Sequence, residues 1–258
     1  MQFFFLPVFF AALLGNKTID MFHALDQGIL SNYQNDQKTF IYNKKIFTIV
    51  TGNLAHLSTI GPLAYIGSLP TQREIIYIDP AHSPLLEKHY QEFKSGIFGD
   101  TLNILYALKT YLKNQVLTSS DLHSFFSEWI GSDNRTLDDF TLSTDGNYIP
   151  IISIEAFIEK KVGACRHMAF LSTYFLDRLI QEGFLSGTTY LVRDFISTER
   201  LTGGHAWSLF IDADKQGWHI DIHWDIIKNI NDPLHFQTLC SLYGKTAMDY
   251  QVQRYQIY

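Results

Sequence analysis

Apolar residues recur with helical spacing in several parts of the chain. The clearest case begins at Cys165, where Met168, Leu171, Phe175 and Leu179 line one side of a predicted helix over 165–181. The same spacing, together with capping residues, indicates six more helices. They are predicted over 19–31, 83–93, 100–113, 121–130, 153–161 and 234–243.

Alternation of apolar and polar residues predicts the strands. It indicates a hairpin or a long strand over 40–50 and short strands over 74–78 and 188–195. The stretches 205–211 and 218–224 alternate in the same way and are joined by a turn, which predicts a β-hairpin. A closing strand is expected at the end of the chain, after the last helix.

One polar stretch, residues 132–147, is rich in turn residues and includes Asp145 next to Gly146. It is the predicted boundary between a region of mixed helices and strands, 1–148, and a C-terminal core, 149–258. The first region has no glycine pattern for phosphate binding, and we assign it substrate or partner recognition by exclusion. The fold class predicted for the chain is α+β.

Composition narrows the class of protein. A hydrophobic content of 46% with 18% charged residues is typical of a globular chain. The net charge of −6 and the lack of long basic runs argue against nucleic acid as a partner. Residues 3–14 are apolar, but the run is too short for a stable membrane span and lacks the basic start of a signal peptide. Both a cytoplasmic and a secreted location stay open.

The chain has two cysteines, Cys165 and Cys240, which are too few for a disulfide framework. Cys165 stands in the first turn of its predicted helix, where unpaired N–H groups and the helix dipole favour a thiolate. The neighbouring Arg166, Lys160 and Lys161 should act in the same direction. The alternative is a structural cysteine, because free cysteine is among the most buried residue types. The residues around Cys165 do not decide between the two.

The predicted hairpin supplies possible partners for this thiol. His205 and Asp221 are 16 residues apart, so two strands of about seven residues with a short turn would place them opposite each other. A carboxylate beside His205 would hold its tautomer and stabilise the imidazolium. If the cysteine helix packs on this hairpin, Cys165, His205 and Asp221 supply a nucleophile, a base and an orienting group.

Three motifs in this order resemble those of the transglutaminase-like superfamily of thiol enzymes, which are papain-like in their use of cysteine and histidine. The resemblance covers about residues 150–225. It lies in a cysteine at a helix start, a glycine-flanked histidine strand and a tryptophan-led strand that ends in aspartate. The motifs are Gly163-Ala164-Cys165-Arg166-His167, Gly203-Gly204-His205-Ala206-Trp207 and Gly217-Trp218-His219-Ile220-Asp221.

The resemblance implies a core in which the nucleophile, at a helix N-terminus, packs on an antiparallel sheet. It also implies a catalytic triad of Cys165, His205 and Asp221. The chain departs from the family after Asp221, where Ile222 and His223 stand in place of the usual proline and threonine. Asp225, four residues further on, competes for the orienting role, but the position of Asp221 relative to the tryptophan matches the family.

Other site residues are less well defined by the sequence. An oxyanion hole needs two donors, and the Cys165 N–H is a natural first one. The second is not evident, and Trp129 and Tyr148 are candidates. Trp207 is expected in the core or in a wall of the site, since such aromatics border the acyl-acceptor channel in this family. His167, close to the nucleophile in sequence, should point away from it and pack or bind backbone.

The predicted function is acyl transfer on amides of a protein or peptide substrate, as in a cysteine peptidase, a glutamine deamidase or a transglutaminase. This chemistry requires no metal and no cofactor. A zinc site built from cysteine, histidine and aspartate is one alternative, although His-x-Asp-x-His on a strand is not a common zinc spacing. A non-enzymatic interaction module on the same fold is the other, because fold does not imply function.

Overall fold

The structure is a computed structural model that describes residues 39–50, 54–57, 61–66, 74–132, 135–142, 148–198 and 202–244. The apolar run at residues 3–14, the helix predicted over 19–31 and the closing strand expected after the last helix lie outside these residues. The described part has the predicted α+β class. It contains six α-helices and two sheets, one of which curls into a half-barrel.

The described elements alternate along the chain. The strands are β1 (Thr39–Tyr42), β2 (Lys45–Val50), β3 (Leu54–His56), β4 (Leu63–Ile66), β5 (Ile75–Ile78), β6 (Phe140–Leu142), β7 (Tyr148–Ser153), β8 (Gly187–Ser197), β9 (Thr202–Asp212), β10 (Gly217–Asp221) and β11 (Ile226–Asn229). The helices are α1 (Pro84–Gly96), α2 (Thr101–Tyr111), α3 (Leu122–Ile130), α4 (Ile154–Glu159), α5 (Cys165–Gln181) and α6 (Pro233–Tyr243). A π-helical turn, Leu112–Val116, extends α2.

Six strands form a mixed sheet in the order β1-β2-β4-β5-β7-β6. The stretch 40–50, predicted as a hairpin or a long strand, is a hairpin of β1 and β2, which turn at Asn43 and Lys44 with φ values of 48° and 62°. Alternation did not predict β7, which pairs in parallel with β5. Residues 149–152 are all buried, and a buried parallel strand has a continuous apolar run in place of alternation.

The second sheet is antiparallel, in the order β11-β10-β9-β8-β3. The predicted strand over 218–224 is too long, because β10 ends at Asp221 and a turn follows. Asp225 closes that turn with a φ of 66°. The last pair between β9 and β10 is Ser208 with Ile220. The next position of β10 therefore lies beside Trp207, and the prediction that Asp221 is directly opposite His205 is wrong by two residues.

Helix α5 packs against β8 and β9 and forms the centre of the main core. The side chains of Phe170, Phe175, Leu176 and Leu179 are 0% exposed. Burial of each stabilises the fold by about 1.5–3 kcal/mol. The opposite face of β9 packs on α6. The antiparallel sheet therefore has a helix on each side, and α5 has little freedom to move.

Helix α1 begins in a way that the sequence did not predict. Ser83 occupies the N-cap position, but its side chain makes no capping hydrogen bond. The Glu155 Oε1 atom accepts from the N–H groups of Leu85 and Leu86, at 2.6 Å and 3.0 Å. Helix α4 therefore supplies the cap of α1 and fixes the two helices together.

The boundary predicted at residue 148 falls at the start of β7, inside the mixed sheet. Strand β3, from the N-terminal region, pairs with β8 at the edge of the antiparallel sheet. One buried cluster joins Tyr65 and Leu105 to Phe170 and Phe210. Among the described residues, the two predicted regions share sheets and a core, so the N-terminal region supports the C-terminal one directly. None of the helices in the described ranges is long and apolar enough to cross a lipid bilayer.

Candidate active site

Cys165 is the first residue of α5, and the turn before it is held by His167. Ala164 is extended, with φ −105° and ψ −174°, and its N–H donates to His167 Nδ1 at 3.0 Å. This is one half of a capping box, and it fixes the direction in which α5 leaves the turn. Gly163 is needed for space, because a Cβ there would lie 2.7 Å from Leu117 Cδ1. The thiol therefore has a defined place at a helix N-terminus.

The Cys165 sulfur contacts β9 at an open edge of that strand. Strand β10 pairs with β9 only as far as Ile220 opposite Ser208, so Ala206 and His205 have no partner in β10. The Ala206 N–H donates to the Cys165 sulfur, and His205 forms a side-chain hydrogen bond with it. The early end of β10 thus opens the gap in which the thiol meets the imidazole.

His205 and Asp221 form a short hydrogen bond, with His205 Nε2 2.5 Å from Asp221 Oδ2. The bond runs diagonally across the sheet, between positions that are two residues apart in the ladder. Because it occupies Nε2, Nδ1 is the ring nitrogen left for Cys165. The structure therefore brings Cys165, His205 and Asp221, hereafter the triad, into one hydrogen-bonded chain.

The electrostatics of the triad favour a charged pair. Burial alone would raise the pKa of Cys165, but His205, Arg166 and the Ala206 N–H lower it below its ordinary value. Burial would lower the pKa of His205, but the hydrogen bonds to Asp221 and Cys165 raise it to about 9. A depressed thiol pKa beside an elevated imidazole pKa is the signature of a thiolate–imidazolium pair.

Asp221 is held by three donors. Its Oδ2 atom accepts from His205 and also from the Tyr243 hydroxyl at 2.5 Å, and its Oδ1 atom accepts from the Trp224 N–H at 3.0 Å. Tyr243 in turn lies 2.8 Å from His219 Nε2, which donates because the tyrosine proton points to Asp221. Burial raises the pKa of Asp221, but these partners bring it below the ordinary value. The carboxylate is therefore fixed in place and charged.

The turn after β10 covers the imidazole. Trp224 stacks on His205 with ring centroids 4.2 Å apart and planes 23° apart. Asp225 is exposed and forms ion pairs with Lys109 at 2.8 Å and with Lys113 at 3.7 Å. The contacts of Asp225 are therefore with α2 and its extension, while Asp221 makes the contact with His205.

A second buried group, the Glu74 cluster, lies on the other side of the same helical turn. It consists of Glu74, Arg166 and His167. Arg166 binds Glu74 through both Nε and Nη2, and His167 Nε2 lies 3.3 Å from Glu74 Oε1. Burial opposes the charge of Glu74, but Arg166 and His167 lower its pKa to about 2. Burial and Arg166 lower the pKa of His167 to about 4, so the ring is neutral.

The basic residues near Cys165 differ in their effects. Arg166 acts on the thiol even though it is paired with Glu74, since its charge still contributes to the lowered pKa of Cys165. Lys160 is turned outward into an exposed ion pair with Glu128. The prediction for His167 agrees with its geometry, because the ring binds the backbone of Ala164 and packs on Phe157 at 4.1 Å.

The sequence predicted Trp129 and Tyr148 as candidate oxyanion donors and Trp207 in the core or in a wall of the site. Trp129 packs against the Phe140 ring at 5.6 Å and under the Arg135 guanidinium at 4.1 Å. Tyr148 is on β7, in the mixed sheet, packed against the main core. Trp207 is only 1% exposed and belongs to the core between β9 and α6. Its burial gives Trp207 a structural role behind the triad, while donor roles for Trp129 and Tyr148 stay predictions.

Two residues of the site were not found from the sequence. Glu74 is the first residue of a predicted strand, and Tyr243 lies in the predicted tail helix, but neither belongs to a motif. Their positions depend on contacts with residues far away along the chain, so no local pattern could have identified them.

Comparison of the chain with protein-family models, with curated proteins and with solved structures finds no match. Within the described ranges, no three histidine, cysteine, aspartate or glutamate side chains converge as metal ligands would. His219 is fully buried, and burial lowers its pKa to about 3. Chemistry at this site therefore depends on the geometry of the triad.

Proposed function

We propose that this protein is a thiol enzyme with a transglutaminase-like core, which transfers the acyl group of an amide to Cys165. The observation that carries the proposal is the hydrogen-bonded chain from Cys165 through His205 to Asp221 at the start of a buried helix. Cys240 makes a useful contrast. It is buried on α6, and burial raises its pKa.

In the proposed reaction, the Cys165 thiolate adds to the carbonyl carbon of the amide, and the C=O electron pair moves to oxygen. The Cys165 N–H, unpaired in the first turn of α5, helps to hold this oxyanion. The C–N bond then breaks, and the imidazolium of His205 gives its proton to the leaving amine. The product is a thioester on Cys165, with His205 neutral.

Neutral His205 is then able to activate the second nucleophile. It takes a proton from water or from an amine as that group attacks the thioester, and Cys165 leaves as a thiolate. Water gives a peptidase if the amide is in the backbone and a deamidase if it is a glutamine side chain. An amine gives a transglutaminase. Asp221, held by Tyr243 and Trp224, keeps the ring in position throughout.

The charge states define the working pH range. The reaction needs a thiolate and a protonated His205 together, so the rate should rise as pH passes the lowered pKa of Cys165. It should fall again above about 9, where His205 loses its proton. Alkylation of the thiolate needs no proton from His205, so it should not show the alkaline fall.

The first test is selective alkylation. At neutral pH, iodoacetamide should label Cys165 about tenfold faster than Cys240, or more, because only Cys165 has a depressed pKa. Peptide mass mapping would assign the label, and Cys165→Ala should abolish it. Cys240→Ala is the matched control and should keep it. Slow and equal labelling of both cysteines would contradict an activated thiolate and favour a non-enzymatic module.

The second test separates the possible outcomes of the reaction. Glutamine-containing proteins would be incubated with the enzyme and a fluorescent primary amine, and released ammonia would be measured. Ammonia with amine incorporation indicates a transglutaminase, ammonia alone a deamidase, and new peptide termini a peptidase. Each signal should disappear in Cys165→Ala. Stoichiometric zinc in protein purified without added metal would instead favour the metal-site alternative.

A further inference from the structure

Tyr65, on β4, has a hydroxyl group that the triad does not explain. The side chain is 2% exposed, and its oxygen has no hydrogen-bond partner among the described residues. Nearly all buried polar groups in folded proteins find a partner, because an unpaired one is costly. The buried hydroxyl of Tyr90 has the same feature, so what sets Tyr65 apart is its position.

The fold places Tyr65 beside the first turn of α5. Its ring packs on Phe170, one turn after Arg166, with centroids 5.7 Å apart. In the β4–β5 ladder it pairs with Ile76, two residues from Glu74, whose carboxylate binds Arg166. Tyr65 and the Glu74 cluster therefore approach the start of α5 from the same sheet.

The Tyr65 hydroxyl interacts electrostatically with the Cys165 thiol and with two arginines. The charges of Arg193, Arg166 and Cys165 all act on the pKa of Tyr65. Arg193 lies opposite Ala206 in the β8–β9 ladder, and the Ala206 N–H donates to the Cys165 sulfur. Burial, the largest influence, raises the pKa of Tyr65 to about 12, so the group carries its proton at every working pH.

We propose that Tyr65 is the second oxyanion donor of this site, acting together with the Cys165 N–H. The inference rests on the proposed function, because the acceptor for its proton exists only when an acyl group is attacked. As the sulfur adds to the carbonyl carbon and the electron pair moves to oxygen, the Tyr65 O–H donates to that oxygen. When the tetrahedral intermediate collapses, the leaving group departs and the hydrogen bond weakens again.

The arrangement suits catalysis. A donor that has no partner in the resting enzyme breaks no hydrogen bond when it binds the oxyanion. Its interaction therefore favours the transition state over the ground state. It also accounts for the missing second donor.

The test compares two reactions of the same thiol. With p-nitrophenyl acetate, the sulfur adds to a carbonyl, p-nitrophenolate leaves with the C–O electron pair, and acetyl-Cys165 forms through an oxyanion. With iodoacetamide, the sulfur displaces iodide at a saturated carbon, and no oxyanion forms. Stopped-flow absorbance would follow the first reaction, and mass spectrometry the second and the acetylated peptide.

Tyr65→Phe should acetylate Cys165 about 10- to 100-fold more slowly than the wild type, as expected for the loss of one oxyanion donor. Its rate with iodoacetamide should not change. Tyr90→Phe is the matched control, because Tyr90 is a fully buried tyrosine of α1 packed on Phe175 at 5.3 Å. It should keep both rates. Since Tyr65→Phe removes only an unpaired oxygen, its melting temperature should be at or above that of the wild type.

The outcomes separate the two proposals. Unchanged acetylation in Tyr65→Phe, or an equal loss of both reactions, would overturn the role of Tyr65 alone. A wild-type protein that forms no acetyl-Cys165 would overturn the proposed function, and the role of Tyr65 with it. A second variant carries 3,5-difluorotyrosine at position 65, which lowers the phenol pKa. It should add an alkaline fall to acetylation but not to alkylation, and its absence would count against the proposal.

Discussion

Two buried pairs of a carboxylate and a histidine flank the start of α5, and they have opposite charge states. In the Glu74 cluster, His167 lies 3.3 Å from Glu74 and has a pKa of about 4, so it is neutral. In the triad, His205 lies 2.5 Å from Asp221 and has a pKa of about 9, so it is charged.

The third partner of each pair accounts for the difference. Arg166 binds Glu74 through two nitrogens and compensates the carboxylate, so protonation of His167 would add an unmatched positive charge. His167 Nδ1 is also occupied as the acceptor for the Ala164 N–H, and a proton there would break the helix cap. His205 instead lies between Asp221 and the Cys165 thiolate, and two anions favour the imidazolium.

The comparison shows that a histidine next to a buried carboxylate is not by itself a catalytic base. One pair builds the helix start that holds Cys165, and in the proposed mechanism the other activates its thiol. Four experiments test this division, beginning with the largest expected effect.

The largest effect should come from replacing the two histidines in turn. His205→Gln removes the base that takes the Cys165 proton and lowers the thiol pKa, so acetylation of Cys165 by p-nitrophenyl acetate should fall by about 100- to 10,000-fold. His167→Gln keeps an acceptor for the Ala164 N–H, because glutamine suits the N3 position of a capping box, and its rate should stay near that of the wild type. Similar losses in both variants would mean that the two pairs are not distinct.

The next effect concerns stability. Glu74→Gln breaks the ion pair of Arg166 with a carboxylate that is 0% exposed, which should lower the free energy of unfolding by about 3–5 kcal/mol. Glu87→Gln is the control, since Glu87 forms a similar pair with Arg178 but its side chain is 45% exposed. An exposed pair contributes only about 0–1 kcal/mol. Urea titration at pH 7 measures both, and equal losses would contradict the structural role of the Glu74 cluster.

A smaller effect should appear in acid. The folded pKa of His167, about 4, is below the value of 6.5 in the unfolded chain. Its contribution to stability is present above pH 6.5 and is lost as pH falls toward 4, because the unfolded chain binds the proton first. At pH 5 the loss is about 2 kcal/mol. His167→Gln should therefore lose less stability than the wild type between pH 7 and pH 5 in urea titrations.

The triad should behave differently at higher pH. A pKa of His205 raised to about 9 would by itself make stability fall as pH rises from 6.5 to 9. In the wild type, the lowered pKa of Cys165 means that the thiol releases a proton on folding, which makes stability rise with pH and opposes this fall. Cys165→Ala removes this compensation and should restore the fall. A flat profile in that variant would contradict a thiolate–imidazolium pair.

Local patterns in the sequence predicted α5, the β9–β10 hairpin and the tail helix, because each has an apolar face with a clear period. They also led to Cys165, His205 and Asp221, because those residues lie in such elements. The exact register was not predictable. It depends on where β10 ends, and the alternation of apolar residues continues past Asp221 to Trp224.

The rest of the site depends on contacts between distant parts of the chain. Tyr65 and Glu74 reach α5 from the mixed sheet, and Arg166 and Glu74 are 92 residues apart. The boundary predicted at residue 148 falls at the start of β7, a buried strand that shows no alternation and lies inside the mixed sheet. Periodicity describes the face of one element and carries no information about its neighbours in space.

The position of α5 between the two sheets also has a consequence for synthesis. Glu74 is made long before Cys165, and Tyr243, which holds Asp221, is made long after it. A nascent chain that ends before Tyr243 therefore has its cysteine but not the complete set of groups that sets its charge. In the proposed mechanism, Cys165 therefore gains its full set of partners only after Tyr243 has been made and has folded into place.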